Sequence, residues 1–385
     1  MKILYVASKP DWGGATVVLY HIIKQLYSKH EIIVVVPTNS GRLIDELHIL
    51  GVQIYIINYE LNIYYKSFNI VKSILISFRR LLRTYKARKK FEHLVSVLKP
   101  DVVHCNVGPI DISLDVCLKF GIPHIWHMRE YQNLDFNMTF IPSRNFFLKR
   151  IHKEGNYNIA ITKDVYEHWR LRKEIDVVIY DPVVEEPPFV CQQKKSNYFL
   201  FVGRIEESKG LYDVLVAFSL FHKENDKFYL KIVGDYNTSS RYYMKCVKLI
   251  QKEGLESFVF WEGHRNDVFL FMQKAVAQIV ASRCEGFGLI TAEAMFNKCL
   301  VIGKNNAGTK EQLDNGVKIT GSEIGLRFEN TKELLDCMRI AVSCDFSEMI
   351  DYAYRTVAIQ YTAKAYCNRL LEYYQKIVRM YVNSI

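Results

Sequence analysis

Twelve short runs constrain this chain more than any other feature: residues 3–6, 32–36, 52–57, 102–105, 124–127, 158–161, 177–180, 198–202, 228–233, 259–261, 277–281 and 300–302. Each is apolar, rich in β-branched residues and about strand length. None alternates strictly, which is how strands buried on both faces read. Such strands need helices above and below them, and helical periodicities do lie between them, as over 17–26, 211–221 and 241–252. Alternation along the whole length predicts an α/β fold of parallel sheets with helices on both sides.

At about 150 residues per domain, 385 residues predict two domains. The stretch 181–197, DPVVEEPPFVCQQKKSN, combines three prolines with polar residues and no periodicity, and reads as the linker. Alternation restarts just after it, giving domains at 1–182 and 183–361. From 351 to 385 the pattern is helical (Tyr366, Leu370, Tyr373, Tyr374, Ile377) with no strand. That segment joins no sheet and should pack across a domain surface.

The net charge of +10 is local. Nine Lys and Arg and no acid fall between residues 61 and 91, while the whole of 1–190 holds 25 basic and 19 acidic residues. A general basic coat of the nucleic-acid-binding kind is excluded. Within the basic segment Ile74, Leu75, Phe78, Leu81, Leu82 and Tyr85 follow helical spacing, with Arg79, Arg80, Arg83 and Lys86 among the cations. A helix of this kind either lies on an anionic membrane surface or packs its stripe on the first domain and leaves the cations in water. The longest stretch without Asp, Glu, Lys or Arg, 47–59, is far short of the ~20 residues that cross a bilayer. The start, MKILYVAS, reads as a strand and not as a signal peptide. Nine scattered cysteines without a C-x-x-C pair predict neither a disulfide framework nor a zinc site, and suit a reducing cytoplasm.

Three loops follow predicted strands. Gly13 and Gly14 precede the first helix and would let a ligand approach the backbone, although a Gly-Gly pair there also serves as a plain turn. In FVGRIEESKG (201–210), Arg204 and Lys209 place a planar fork and a point charge at a strand end, a pair suited to a diphosphate or to solvent. In SRCEGFGLITAE (282–293), Gly286 and Gly288 leave a helix N-terminus open to an anion, with Glu285 and Glu293 on either side. Carboxylates suit diols, not phosphate, so the ligand should carry hydroxyls on both sides of its phosphates. A nucleotide-sugar has that shape. The plain alternative is a helix start whose dipole is complemented by an acid.

These motifs, in this order over nearly the whole chain, resemble the retaining glycosyltransferases of family 4, whose GT-B fold has two Rossmann-like domains facing across a cleft. Glu285-Gly-Phe-Gly-Leu-x3-Glu293 is similar to that family's Glu-x7-Glu signature, and Gly203-Arg204-x4-Lys209-Gly210 to its diphosphate motif. The resemblance implies that Gly13, Gly14, Arg204, Lys209, Gly286, Phe287, Gly288 and Leu289 bind the donor. It implies that Glu293 takes the ribose, Glu285 the sugar hydroxyls, and His127 the donor sugar from the first domain. The loop with His264 and Arg265 would meet the base. A C-terminal helix, about 362–385, would cross back to the first domain. The loop NNAGTKE (305–311) departs from the family pattern and carries no assigned role.

The expected reaction is transfer of a sugar from a nucleotide-diphosphate donor, UDP-linked or similar, to a carbohydrate or lipid-linked glycan in bacterial surface polysaccharide assembly. The chain has no Asp-x-Asp, so neither a metal nor another cofactor is expected. A cytoplasmic protein with peripheral contact to an anionic membrane, and no nucleic-acid partner, completes the expectation. A nucleotide-sugar 2-epimerase of the same fold and an inactive partner subunit are the alternatives.

Overall fold

The apolar runs become parallel strands. The computed structural model describes residues 1–65, 70–135, 137–183 and 194–382. They fall into two units, Met1–Glu185 with Ala363–Ile385, and Glu186–Thr362. Most of the predicted linker, residues 184–193, lies outside the described residues.

The first unit contains β1 (Lys2–Val6), β2 (Glu31–Val36), β3 (Gln53–Ile56), β4 (Ile63–Tyr65), β5 (Val102–Cys105), β6 (His124–Met128), β7 (Met138–Phe140), β8 (Asn156–Ala160) and β9 (Val177–Val178). Seven of these form a parallel sheet in the order β3-β2-β1-β5-β6-β8-β9. Ile3–Val6 and Ile33–Val36 are wholly buried, as strands covered on both faces must be. β4 and β7 pair separately and antiparallel, Ile63 opposite Phe140. Neither was expected: three residues without a β-branched run carry no periodic signal.

The second unit contains β10 (Tyr198–Val202), β11 (Tyr229–Val233), β12 (Val259–Gly263), β13 (Ala277–Val280), β14 (Leu300–Lys304) and β15 (Leu326–Phe328), all parallel in the order β12-β11-β10-β13-β14-β15. β15 was missed because Arg327 interrupts its apolar character. The strand lies at the sheet edge, where Arg327 reaches Asp314 at 2.7 Å.

The C-terminal pattern is two helices, Ser347–Gln360 and Ala363–Val382, the first in the second unit and the other in the first. The second helix buries Tyr366, Leu370, Tyr373, Tyr374 and Ile377, the predicted stripe, and Tyr374 Oη lies 3.2 Å from Tyr5 Oη of β1. The basic segment becomes the long helix Ile70–Leu98. Its inner face is Thr84, Ala87, Phe91 and Val95, all buried. The predicted stripe faces the other way: Ile74, Leu75, Phe78, Leu81, Leu82 and Tyr85 are 47–64% exposed. Packing of that stripe on the first domain is thereby overturned; Thr84, Ala87, Phe91 and Val95 take the inner face instead. Among the described residues, no helix is long and apolar enough to cross a membrane.

Candidate active site

In the second sheet, chain order runs outward in both directions from the β10–β13 pair. Ligands of open α/β sheets sit at such a switch point, beyond the carboxyl ends of the strands. The two predicted motifs leave those two strands, and the fold joins them. The Arg283 amide donates to the Ser208 carbonyl at 2.8 Å. Gly210 has φ +74°, and a Cβ there would lie 2.2 Å from the Ala281 carbonyl oxygen. Only glycine lets the two loops approach this closely.

Lys209 Nζ forms an ion pair with Glu285, which also accepts from Ser282 Oγ at 2.8 Å. The residue expected on the diphosphate therefore touches the residue expected on the sugar. Arg204, about half exposed, pairs with Glu206 at 3.2 Å. Gly288 caps the helix Leu289–Phe296 in the left-handed region, φ +83°. The Thr291 amide donates to the Gly288 carbonyl at 2.9 Å, and the Leu289 and Ile290 amides before it have no intrahelical acceptor, the arrangement that suits an anion. Phe287 is buried against Tyr361, ring centroids 5.2 Å apart, so its backbone and not its ring faces the loop. Glu293, one turn inside, is half-buried. No side chain among the described residues partners its carboxylate, and desolvation alone pushes it up to about 7.

The unassigned loop at 305–311 turns out to be a buttress. Asn306 Nδ2 donates to the Arg283 carbonyl at 2.9 Å, and the Gly308 amide to that of Glu285 at 3.0 Å. Gln312 Nε2 donates to the carbonyls of Phe287 and Gly288, at 2.5 and 3.0 Å. Nothing in the sequence marked these contacts, because they are made by backbone and amide groups. His264 and Arg265, after the edge strand β12, are exposed. His264 lies 3.5 Å from Asp235, and Arg265 holds Asp267 with two bonds of 2.9 Å.

In the first unit the predicted residues lie differently. His127, on β6, is 0% exposed. Its ring stacks on those of His104 and Tyr366, and its Nδ1 accepts from Arg129 Nη2 at 3.2 Å. Burial first, then Arg129 and His104, hold it neutral, well below the usual histidine range. The proton is therefore on Nε2, which has no hydrogen-bond partner. Arg129 forms a buried ion pair with Asp181 and donates to the Asn106 carbonyl at 2.9 Å. In this arrangement His127 is a packed member of a buried polar cluster. Gly13 caps the helix Gly14–Leu26 with an ordinary φ of −105°, and a Cβ there would meet nothing within 4 Å.

Sequence reasoning overlooked Glu130, the second residue after β6. Burial and then Asp135 push its carboxyl up to about 7, while Gln132 Nε2 donates to it at 2.6 Å. Its place beyond a strand's carboxyl end was the signal that could have found it.

The family described as Glycosyltransferase Family 4 matches residues 12–186, and the one described as Glycosyl transferases group 1 matches 185–342. A poly(glycerol-phosphate) alpha-glucosyltransferase of Bacillus subtilis is 31% identical over 147 residues, 37% of this chain and 21% of that one. An uncharacterized glycosyltransferase of Methanocaldococcus jannaschii is 27% identical over 247 residues, 63% of this chain and 66% of that one. The chain thus spans less than two thirds of either relative's length. The crystal structure of Anabaena HepE in complex with UDP superposes with a TM-score of 0.75 at 16% identity, covering 97% of this chain and 99% of that one.

Proposed function

The chain belongs to the family 4 glycosyltransferases and has the GT-B fold, and from that premise we propose that it moves a sugar from a nucleotide-diphosphate donor to a carbohydrate or lipid-linked glycan acceptor with retention of configuration. The observation that carries this reading is the junction at the β10–β13 switch point. There a cation, a carboxylate and an open helix N-terminus meet beside an unpartnered Glu293. Lys209, Arg204 and the helix amides face the diphosphate, Glu293 accepts from the ribose hydroxyls, and Glu285 accepts from the sugar. HepE, solved in complex with UDP, makes a UDP-sugar the first donor to try.

As the bond between the anomeric carbon and the β-phosphate oxygen breaks, negative charge grows on that oxygen. Donors fixed in place beforehand stabilise it. The acceptor hydroxyl adds to the anomeric carbon on the face the phosphate leaves, and its proton passes to the departing phosphate. In this scheme the cations take the role a divalent ion has in other transferases, and the reaction is expected to need no metal. Retention by a covalent intermediate would need a free carboxylate nucleophile, and Glu285 is already bonded to Lys209 and Ser282.

A peripheral place on an anionic membrane, in the assembly of a bacterial surface polysaccharide, fits the exposed row Ile74, Leu75, Phe78, Leu81, Leu82 and Tyr85 beside Arg79, Arg83 and Lys86. Such a face pairs apolar area with cations that attract anionic lipid.

A thermal-shift screen of UDP- and GDP-sugars on the wild type and on Glu293→Gln tests the donor reading, since a ligand raises apparent stability by mass action. A donor should raise the wild-type Tm and shift the variant less. No shift with any nucleotide-sugar would sink the proposal. With the donor that binds, EDTA should leave turnover unchanged. A changed sugar formed without acceptor would favour the epimerase.

A further inference from the structure

The first unit holds a cavity of about 790 Å³, lined in part by the basic segment. Ser8 and Lys9 after β1, and Glu130 and Gln132 after β6, line one part of it. β4 and the helix Ile70–Leu98 line another, and that part carries most of the charge. Arg80 is fixed there: its Nε donates to Glu60 Oε2 at 2.9 Å, and its Nη1 donates to the carbonyls of Leu61 and Ile63. Arg83 donates to Glu60 Oε1, and Arg79 lies 3.9 Å from the same oxygen. One carboxylate therefore faces three guanidiniums. With Lys9 and Glu130 counted, the lining carries four cations and two carboxylates. The remaining lining is largely apolar and aromatic, with Tyr59, Ile63, Tyr64, Ile76 and Met138. Leu75, Phe78 and Leu82, exposed on the same helix, continue that character outward.

A neutral sugar would leave three guanidiniums sharing the single carboxylate of Glu60, and a hydrocarbon would desolvate them. A phosphate matches the planar fork of arginine, and an alkyl or aromatic neighbour matches the remaining lining. We propose that this cavity binds the phosphate-bearing end of an amphipathic acceptor, held by Arg79, Arg80 and Arg83. Glu60 keeps the three guanidiniums together in the empty cavity and competes with the phosphate for them. Naming the ligand an acceptor rests on the glycosyl-transfer reading; the affinity for a phosphate amphiphile does not.

The test is calorimetric titration of the full chain with dodecyl phosphate, inorganic phosphate, glycerol 3-phosphate and dodecyl maltoside, each below its micelle concentration, and with UDP-glucose as the donor probe. Dodecyl phosphate should bind at least tenfold more tightly than the maltoside or either soluble phosphate. The double variant Arg79→Gln/Arg83→Gln, both exposed positions, should weaken it tenfold or more, and Met138→Trp, which narrows the cavity, should weaken it severalfold. Glu60→Gln should strengthen it severalfold. Donor titrations should be unchanged throughout, so that loss of the donor reading would show separately. Equal binding of dodecyl phosphate and dodecyl maltoside, or dodecyl phosphate affinity untouched by the Arg79/Arg83 double variant or by Met138→Trp at unchanged Tm, overturns the site. Soluble phosphates binding as tightly as the amphiphile overturn its amphipathic character.

Discussion

The two units present charged groups at the ends of parallel strands in opposite ways. In the second unit the groups come from two contiguous motifs, lie near the surface and pair across the junction, as Lys209 does with Glu285. In the first unit the charges divide. One set, Arg129, Asp181, His104 and His127, is buried and bonded chiefly to other buried groups. Another, Glu60 with Arg79, Arg80 and Arg83, is gathered from segments about twenty residues apart around a cavity. The second unit's charges and those around the cavity are placed to meet a ligand, whereas the buried set is first of all part of the fold. Substitutions should separate the two by what they damage.

The largest effect should be on stability. Asp181→Ala leaves Arg129 buried without its counter-ion, which costs about 3–5 kcal/mol. In urea unfolding the loss should fall on the first unit's transition, and Asp181→Leu with Arg129→Met should recover most of it. A loss under about 1 kcal/mol would mean that the pair is open to water.

Lys209→Ala should do the reverse. Its ion pair is partly solvated, and such pairs contribute little to stability. Removing a group that stabilises transition-state charge typically lowers kcat about 10²–10³-fold. Nucleotide release from the donor in the presence of acceptor would show this, with Tm nearly unchanged. A fall in Tm without a fall in kcat would make Lys209 a structural residue like Arg129.

This contrast also explains what the sequence could tell. The strands were legible because burial on both faces demands uninterrupted apolar runs, as in Glu31–Val36. The donor motifs were legible because each lies within one loop, between a strand and a helix. Their ion pair was not, since it joins residues 76 apart. The long helix shows how periodicity misleads. Its most regular apolar row faces outward, while Thr84, Ala87, Phe91 and Val95 pack inward. Spacing defines a face but does not say what covers it. His127 sat at a strand end, as a donor-contacting residue would, but side chains alternate along a strand, and spacing does not say which face the sheet covers.

Gly210→Ala comes next. The new Cβ would overlap a backbone oxygen that has no rotamer to give way, in a left-handed conformation that itself costs about 1–2 kcal/mol. A total of about 2–3 kcal/mol should appear in the second unit's transition. A variant as stable as the wild type would show that the two loops are not held together there.

The pH dependence of donor binding is smaller and has a definite sign. Glu293 sits at about 7 in the folded protein, above its unfolded value. Its protonated form is the one burial favours, so its contribution to stability is present below the unfolded value and is lost as pH rises through about 7. Donor binding runs the other way, because a ribose diol donates to the ionised carboxylate. Affinity for a nucleotide-sugar should fall as pH drops below about 7, at most tenfold per unit. Glu293→Gln should flatten both trends. A donor affinity independent of pH between 5.5 and 8 would remove Glu293 from the ribose.

Gly13→Ala should have the smallest effect, and it tests the comparison most narrowly. Gly13 and Gly210 both stand at a strand-to-helix turn, and from sequence both read as places where a ligand approaches the backbone. At Gly13 the φ of −105° suits any residue and the space for a methyl group is open. Alanine there lowers the entropy of the unfolded chain, worth about 0.4–1 kcal/mol, against a helix-capping loss of about 0.5–1 kcal/mol. Stability should therefore change by less than about 0.5 kcal/mol. If the donor approaches this backbone closely, the methyl group instead raises KM for the donor while Tm stays fixed. Unchanged KM and Tm together would leave Gly13 a plain turn, and only the second unit's glycine would remain a position that the fold itself requires.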